Sequence, residues 1–303
     1  MLMYGFDIGG TKIEIAIFDS NINILDSWRV PTPTNDYSAF VSTVLEMVKQ
    51  ADEKFSSQGS VGIGLPGVID RDGRVTTVNI PCLCGKQLLE DLERKLNRKV
   101  GIVNDVRAFA LSEAITRKNH ESETVLGVVL GTGVAAGLCI NGTIHLGKSA
   151  VAGEIGHSCI HANLQQKYQF PIKQCNCGLS GCYEKYLSGS GLLFVSQHLG
   201  FDYADTHEIV TDLNLGNSNA KTVINCYLDC LGQFLAQQVL AFDPDVIILG
   251  GGLSNIEYLY QELPNYVEEY LFGDLKSPHI LAPSFGDSSG VRGAALAGRI
   301  ETH

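Results

Sequence analysis

The sequence predicts an α/β protein whose basic unit occurs twice. Near the start of the chain, two apolar strands flank a Gly-Gly turn. A similar pair of strands, at residues 124–140, again flanks a glycine turn. The same offset that places Gly127 opposite Gly5 also places Gly131 opposite Gly9. Internal repetition of this kind indicates a duplicated architecture.

Strand and helix patterns alternate along most of the chain. Short apolar runs predict strands, and apolar residues with a 3.6-residue period predict helices. After residue 185 the pattern is mostly helical up to one last buried strand. The predicted strands are residues 3–8, 13–19, 22–30, 61–69, 100–104, 124–130, 135–140 and 245–249, and the predicted helices are 37–55, 88–96, 106–115 and 290–300.

Length and charge restrict the class of protein. A chain of 303 residues is long enough for two domains, each with its own core. Its net charge of −11 argues against nucleic-acid or membrane partners, which select basic surfaces. The N-terminus lacks the features of a secretory signal, and no apolar run reaches the length of a membrane span. We therefore expect a cytoplasmic protein whose nine cysteines are thiols or metal ligands rather than disulfides.

The first glycine turn has the composition of a phosphate-binding loop. Asp7 stands near a strand end and is followed by Gly9, Gly10, Thr11 and Lys12. Glycines let the backbone approach a phosphate closely, and N–H, hydroxyl and ammonium groups bind its oxygens. Asp7 can hold Mg²⁺ through water. The alternative is an ordinary hairpin turn with an exposed lysine.

Two further glycine turns offer similar chemistry. Gly131, Thr132 and Gly133 form the turn of the second hairpin, and a run that includes Gly251 and Gly252 follows the last buried strand. None of these three glycine turns has the Walker A or the dinucleotide-binding pattern. Three glycine turns on three strands therefore favour a different type of nucleotide site, in which a triphosphate is held from two sides.

A candidate catalytic carboxylate follows the strand at 100–104. Asp105 comes directly after Asn104 and before a predicted helix. In open α/β folds, the carboxyl ends of strands are where ligands bind. There Asp105 can accept the proton of a substrate hydroxyl as its oxygen attacks phosphorus. The alternative is that Asp105 caps the helix at its N-terminus.

The clearest local motif is a candidate zinc site. Cys175, Cys177 and Cys182 lie close together in a glycine-rich segment, and His157 is a candidate fourth ligand, with His161 as an alternative. Three thiolates and one imidazole complete a tetrahedral Zn²⁺ shell, which predicts a structural site. Scattered reduced thiols are the alternative. Of the remaining cysteines, two are predicted to be core or loop thiols, namely Cys82 and Cys84. The other four are predicted to be packing residues: Cys139, Cys159, Cys226 and Cys230.

Taken together, these motifs resemble those of the ROK family of sugar kinases and related repressors, over nearly the whole chain. The motifs are FDIGGTK (6–12), GIGLPG (62–67), ND (104–105), LGTGV (130–134), GEIGH (153–157), CNCGLSGCYE (175–184) and DPDVIILGGGLS (243–254). Residues 30–33, 147–157 and 177–191 favour the N-acetylglucosamine-specific members.

The resemblance implies an α/β, two-lobed actin-like ATPase (ribonuclease H-like) fold with duplicated α/β domains and a zinc-bound insert, in which ATP and sugar meet in the cleft. The small lobe would comprise residues 1–119 plus 290–303, and the large lobe residues 120–289, with a zinc-binding segment at 157–187. It implies transfer of phosphate from ATP, with Mg²⁺, to the 6-hydroxyl of N-acetyl-D-glucosamine. A homodimer is also expected.

The resemblance also assigns roles to individual residues. Asp105 would be the catalytic base, and His157 would bind both zinc and sugar. The predicted sugar contacts are Gly67, Asn79, Asn104, Asp105, Glu154, His157 and Glu184. The predicted nucleotide contacts are Asp7, Gly9, Gly10, Thr11, Lys12, Gly131, Thr132, Gly133, Gly251 and Gly252.

Two positions depart from the family pattern. Val106-Arg107 replace a small residue and Asn, and Ala135-Ala136 replace glycines. We expect the added Cβ atoms to lower the affinity for ATP. Arg107 is expected either to point into solvent or to favour ionised Asp105.

Three rival functions follow from the same motifs. The substrate can be another sugar, such as N-acetylmannosamine, glucose or fructose. A non-catalytic sugar-binding relative is the second. A repressor is the third, and we expect it least, because the first hairpin leaves no room before it for a helix-turn-helix domain.

Overall fold

The computed structural model describes residues 1–70, 73–117 and 123–299. The chain divides into two compact units, the first comprising Met1–Ser122, Gly137–Ala152 and Ser284–His303, and the second Glu123–Ala136 and Gly153–Pro283. This division differs from the predicted lobes mainly in placing residues 137–152 with the first unit. The predicted boundary at 119/120 lies outside the described residues, as does the predicted helix end at Ile300.

The strands and helices alternate much as the sequence predicts. The strands are β1 Met3–Ile8, β2 Lys12–Phe18, β3 Ile24–Pro31, β4 Ser60–Leu65, β5 Val68–Ile69, β6 Val75–Thr76, β7 Val100–Asn104, β8 Thr124–Leu130, β9 Val134–Ile140, β10 Thr143–Ile144, β11 Val246–Gly250 and β12 His279–Leu281. The helices are α1 Tyr37–Phe55, α2 Leu88–Leu96, α3 Asp105–Ile115, α4 Ala162–Tyr168, α5 Glu184–Leu187, α6 Gly189–His198, α7 Thr206–Asn214, α8 Ser218–Phe242, α9 Glu257–Glu268 and α10 Ser289–Ala297.

The main sheet of the first unit has the strand order β3-β2-β1-β4-β7. Strands β1 to β3 are antiparallel, whereas β4 and β7 run parallel to β1. The register pairs Asp7 with Gly64 and Leu65 with Asn104. Because parallel strands end at the same edge of a sheet, the candidate residues on β1 and β7 lie at one edge.

Small residues allow helix α10 to lie close against this sheet and against α3. A Cβ on Gly62 would lie 1.8 Å from the Ala294 carbonyl oxygen, and one on Gly293 would lie 1.7 Å from that of Ala108. Any larger residue at either position would force the elements apart. This close packing fixes α3, whose first residue is the candidate base.

The second unit has a parallel set of strands in the order β8-β11-β12. Helix α8 is its longest helix among the described residues, with 25 residues, and it is buried along most of its length. Its N-cap Asn217 accepts hydrogen bonds from two backbone N–H groups. The turn between β8 and β9 is closed by a 3.0 Å bond from the Gly131 N–H to the Gly133 carbonyl. Both predicted glycine-turn hairpins are therefore present.

Some elements differ from the prediction. The strand predicted at 61–69 ends at Leu65, because Pro66 and Gly67 turn the chain and Gly67 adopts a φ of 107°. Strands β5, β6, β10 and β12 are too short to leave a periodic signal. All nine cysteines are free thiols, but Cys159 is exposed, so its predicted packing role is wrong. Among the described residues, no helix combines the length and apolarity needed to span a membrane.

Candidate active site

In the first unit, the strand-to-helix junction holds the candidate base at the sheet edge. Asn104, and not Asp105, is the N-cap of α3: its Oδ1 accepts from the N–H groups of Val106 at 3.0 Å and Arg107 at 3.2 Å. The Asn104 side chain also donates to the Gly67 carbonyl at 2.9 Å. The capping alternative for Asp105 is therefore wrong, and its carboxylate is the first side chain of the helix.

A second carboxylate, that of Asp7, lies close enough to Asp105 for the charge of Asp105 to raise its pKa. Burial, followed by repulsion from Asp105 and Glu14, raises the pKa of Asp7 to about 6. Burial also raises the pKa of Asp105, against the effect of hydrogen bonds from the backbone N–H groups of Val106 and Asp105 and from the Asn104 side chain. Such a pair of half-buried acids can bind a divalent cation and accept a proton.

The first glycine turn is fixed by its own backbone. The Gly9 N–H donates to the Lys12 carbonyl at 2.9 Å, and the Thr32 hydroxyl donates to the Gly9 carbonyl at 2.7 Å. A Cβ on Gly10 would lie 3.0 Å from the Asn79 carbonyl oxygen, so the turn lies against the predicted sugar contact Asn79. Thr11 is exposed, and the Lys12 ammonium is 3.8 Å from Glu14.

Because the pKa of Asp7 is raised, we expect the free energy of unfolding to depend on pH. A folded-state pKa above that of free aspartate means that protonated Asp7 is compatible with folding, whereas ionised Asp7 opposes it. The free energy of unfolding therefore falls as pH rises through about 6. We expect Asp7→Asn to stabilise the chain at pH 7 by roughly 2 kcal/mol and to remove this loss between about pH 4 and 7. Denaturant unfolding of both proteins across that range is the measurement. An unchanged pH profile would contradict the assignment.

In the second unit, four residues form a cluster that can hold a metal ion. The ligand atoms of His157, Cys175, Cys177 and Cys182 all lie within 4.8 Å of one another. The Cys177 and Cys182 sulfurs are 3.6 Å apart, and the Cys175 sulfur is 3.8 Å from His157 Nδ1. His161 instead caps α4 and accepts from the backbone, so His157 is the histidine of the cluster.

Two glutamates flank this cluster. The Glu154 carboxylate lies 3.9 Å from His157 Nε2, the ring nitrogen that does not face Cys175. Glu184 Oε1 lies 3.8 Å from the Cys175 sulfur, and Glu184 Oε2 accepts from the Val134 N–H at 3.1 Å. The predicted sugar contacts of the second unit, Glu154, His157 and Glu184, are thus grouped around the metal ligands.

A cavity of about 570 Å³ lies beside the second and third glycine turns. Gly131, Thr132 and Gly252 line it. Gly251 has a φ of 80°, and a Cβ there would lie 2.5 Å from the Leu130 carbonyl oxygen, so only glycine fits. Helix α7 and Gly189-Ser190 form other walls, and the sequence did not predict them as part of a site. No glycine turn or spacing marked α7, a short polar helix remote in sequence from the turns.

At the two departures from the family pattern, Arg107 and Ala136 are both buried. The Arg107 side chain is 4% exposed, so it does not point into solvent, and the pKa of Asp105 is raised rather than lowered. Ala136 is buried within β9, and its N–H donates to the Gly153 carbonyl at 2.7 Å. That amide is already used in this bond, and the expected lower affinity for ATP stays a prediction for both alanines.

Comparisons with known proteins agree with these observations. The sequence profile of the ROK family matches residues 3–299. An N-acetylgalactosamine kinase from Shewanella sp. (strain ANA-3) is 46% identical over 297 residues, covering 98% of this chain and 96% of that protein. An N-acetyl-D-glucosamine kinase from Yersinia enterocolitica is 41% identical over 298 residues, covering 97% of this chain and 98% of that protein.

Solved structures show the same fold. The ROK hexokinase from Thermus thermophilus superimposes with a TM-score of 0.84 at 30% identity, covering 98% of this chain and 97% of that one. A ROK glucokinase from Streptomyces griseus, in complex with glucose and AMPPNP, gives a TM-score of 0.75 at 27% identity, covering 99% of each chain. The predicted actin-like α/β fold is thereby confirmed, and this chain belongs to the ROK family.

Proposed function

We propose that this chain is an ATP-dependent kinase that phosphorylates the 6-hydroxyl of N-acetyl-D-glucosamine. The observation that carries the proposal is the half-buried Asp105, which lies near Asp7. The preceding residue, Asn104, is held in place by the bond from its side chain to the Gly67 carbonyl. Near-full-length similarity to kinases of N-acetylated hexosamines supports the choice of substrate class.

Asp105 acts as the general base in this proposal. It accepts the proton of the 6-hydroxyl while that oxygen forms a bond to the γ-phosphorus of ATP. The bond between the γ-phosphorus and the β–γ bridging oxygen breaks, and ADP leaves. The raised pKa of Asp105 makes its carboxylate a stronger base, which favours proton transfer near pH 7.

Besides Asp105, the sugar contacts in this proposal are Gly67, Asn79, Asn104, Glu154, His157 and Glu184. With Nδ1 directed at the metal ligands, His157 presents Nε2 as a donor to a sugar hydroxyl. A metal held by this cluster would fix the His157 ring and so orient this sugar contact.

The nucleotide and its metal are assigned to the glycine turns. Asp7 would hold Mg²⁺ through water, while Gly9, Gly10, Thr11 and Lys12 would bind phosphate oxygens. In the second unit, Gly131, Thr132 and Gly133 would bind phosphate from the second turn, and Gly251 and Gly252 would lie beside the nucleoside in the cavity. Mg²⁺ screens the charge of the triphosphate during transfer.

The cysteine cluster is assigned to structural Zn²⁺. Three sulfurs and one ring nitrogen within 4.8 Å match the ligand types and number of a closed tetrahedral site. A closed shell leaves no position for water or substrate, which agrees with a structural role. We expect about one zinc ion per chain.

N-acetyl-D-galactosamine is a second candidate substrate. The relative named for that sugar is 46% identical, against 41% for the Yersinia N-acetyl-D-glucosamine kinase. The two sugars share the acetamido group and the 6-hydroxyl and differ only in the configuration at C4. The choice therefore depends on the contacts to the 4-hydroxyl.

ADP release with a panel of sugars tests the proposal. The panel comprises N-acetylglucosamine, N-acetylgalactosamine, N-acetylmannosamine, glucose and fructose, each with Mg²⁺ and ATP. We expect the highest kcat/KM with N-acetylglucosamine, and at least about tenfold lower values for sugars without the acetamido group. A maximum with N-acetylgalactosamine would favour the second candidate, and no turnover on any of the five would contradict kinase activity.

A further inference from the structure

Arg107 is a buried cation two residues after the candidate base in helix α3. Its side chain is 4% exposed, although arginine is rarely buried to this extent. One guanidinium nitrogen, Nη2, donates to the Ala150 carbonyl at 2.8 Å and to the Ala152 carbonyl at 3.0 Å. The side chain therefore connects the start of helix α3 to a loop more than forty residues later, through bonds separated by 43 and 45 positions in sequence.

The loop that Arg107 holds has an unusual backbone. Ala150 has a φ of 53°, a left-handed conformation that costs free energy for a residue with a Cβ, and its side chain is buried. Gly153 has a φ of 104°, and a Cβ there would lie 1.9 Å from the Ala136 carbonyl oxygen. Backbone of this kind persists only where surrounding contacts fix it. The Arg107 guanidinium supplies two of those contacts, on either side of Val151.

The residues that follow this loop are those assigned to the sugar. Glu154 is two positions after Ala152, and His157 comes three positions later. Because the hydrogen bond from the Ala136 N–H fixes the Gly153 carbonyl, the backbone between Ala152 and Glu154 has little conformational freedom. A shift of the Ala150–Ala152 backbone would therefore move the Glu154 carboxylate.

We infer that Arg107 is a positioning residue for sugar recognition. It fixes the backbone that leads into Glu154, and it does so from the helix that begins with Asp105. The inference rests on the proposed function, because it takes Glu154 as a sugar contact. Arg107 touches neither sugar nor nucleotide in this account, so its loss should alter sugar binding more than the chemical step.

Two substitutions and one control test this role. Arg107→Met keeps an unbranched side chain but removes both hydrogen bonds, whereas Arg107→Lys keeps a charge and one donor group. The matched control is Arg98→Met, which also removes an arginine bonded to a backbone carbonyl, that of Gly59, in the same unit. The control should reproduce any general loss of stability without the effect on sugar.

Steady-state kinetics give the first readout. We expect Arg107→Met to raise the KM for the N-acetylated sugar about tenfold, with kcat within about threefold and the KM for ATP within about twofold. Arg107→Lys should recover part of the loss. A sugar KM no higher than that of Arg98→Met, or a loss confined to kcat, would overturn the inference.

Hydrogen exchange gives a readout that does not depend on turnover. Backbone amides of residues 147–154 should exchange at least about tenfold faster in Arg107→Met, and not in Arg98→Met. Absence of any sugar turnover in the unmodified protein, combined with faster exchange in Arg107→Met, would defeat the proposed function and leave the positioning of this loop standing. Unchanged exchange in both Arg107 variants would overturn the positioning role itself.

Discussion

Replacement of Asp105 by Asn is expected to lower kcat by about 10³-fold while leaving sugar affinity within a few-fold. General-base catalysis contributes roughly 10² to 10⁴ to such rates, and an amide cannot accept the proton. The substitution preserves size and polarity, and the N-cap of α3 is Asn104, so the helix keeps its start. Stopped-flow or steady-state ADP release gives kcat, and calorimetric titration gives the sugar affinity.

Asp36→Asn is the matched control for this variant. Asp36 is the N-cap of α1 in the same unit, and Asn is an equally good cap. Both variants exchange one carboxylate for an amide at a helix start. The control should retain the kcat of the unmodified enzyme. An Asp105→Asn enzyme with more than about a tenth of that kcat would remove Asp105 from the mechanism.

Loss of zinc is the second large effect that we expect. Cys175→Ser and Cys177→Ser should each reduce bound zinc from about one ion per chain to a small fraction, because serine is a poor ligand for this metal. Metal binding stabilises a segment that otherwise has little core, so Tm should fall by on the order of 10 °C. Sugar affinity should fall as well, because the His157 ring loses its fixed orientation.

Cys159→Ser is the control for the cluster variants. Cys159 pairs with Cys182 through a backbone bridge, but it is exposed and does not belong to the ligand cluster. It should keep its zinc, its Tm and its sugar affinity. Elemental analysis and thermal unfolding compare the three cysteine variants with the unmodified protein. The absence of zinc from the unmodified protein, expressed with zinc supplied, would refute the assignment.

Features with a local signature could be predicted from the sequence. The glycine hairpins follow from apolar runs around turn residues, and α1 follows from its 3.6-residue period, even to its bounds. The position of Asp105 after a buried strand placed it at the sheet edge. The cysteine spacing identified the metal cluster, although the choice of His157 over His161 needed the folded structure.

Features that depend on tertiary packing could not be predicted. Helix α7 lines the cavity beside Gly131 and Gly252 only because the fold brings it there. The burial of Arg107 depends on carbonyl groups of Ala150 and Ala152, which are remote in sequence. The bond from the Ala136 N–H to the Gly153 carbonyl was unpredictable for the same reason, because Gly153 belongs to a different segment.

The position of the phosphate in the product distinguishes the proposed reaction from its alternatives. The unmodified chain is incubated with Mg²⁺, ATP and N-acetylglucosamine, and proton-coupled phosphorus NMR is recorded alongside an Asp105→Asn sample. We expect ADP and a sugar monophosphate from the unmodified chain. The phosphorus signal of that product should be a triplet, because the phosphorus of an ester at C6 couples to two methylene protons. The variant should give no such signal. A doublet, which marks a phosphate on a ring carbon, or the same triplet at an equal rate from Asp105→Asn, would contradict it.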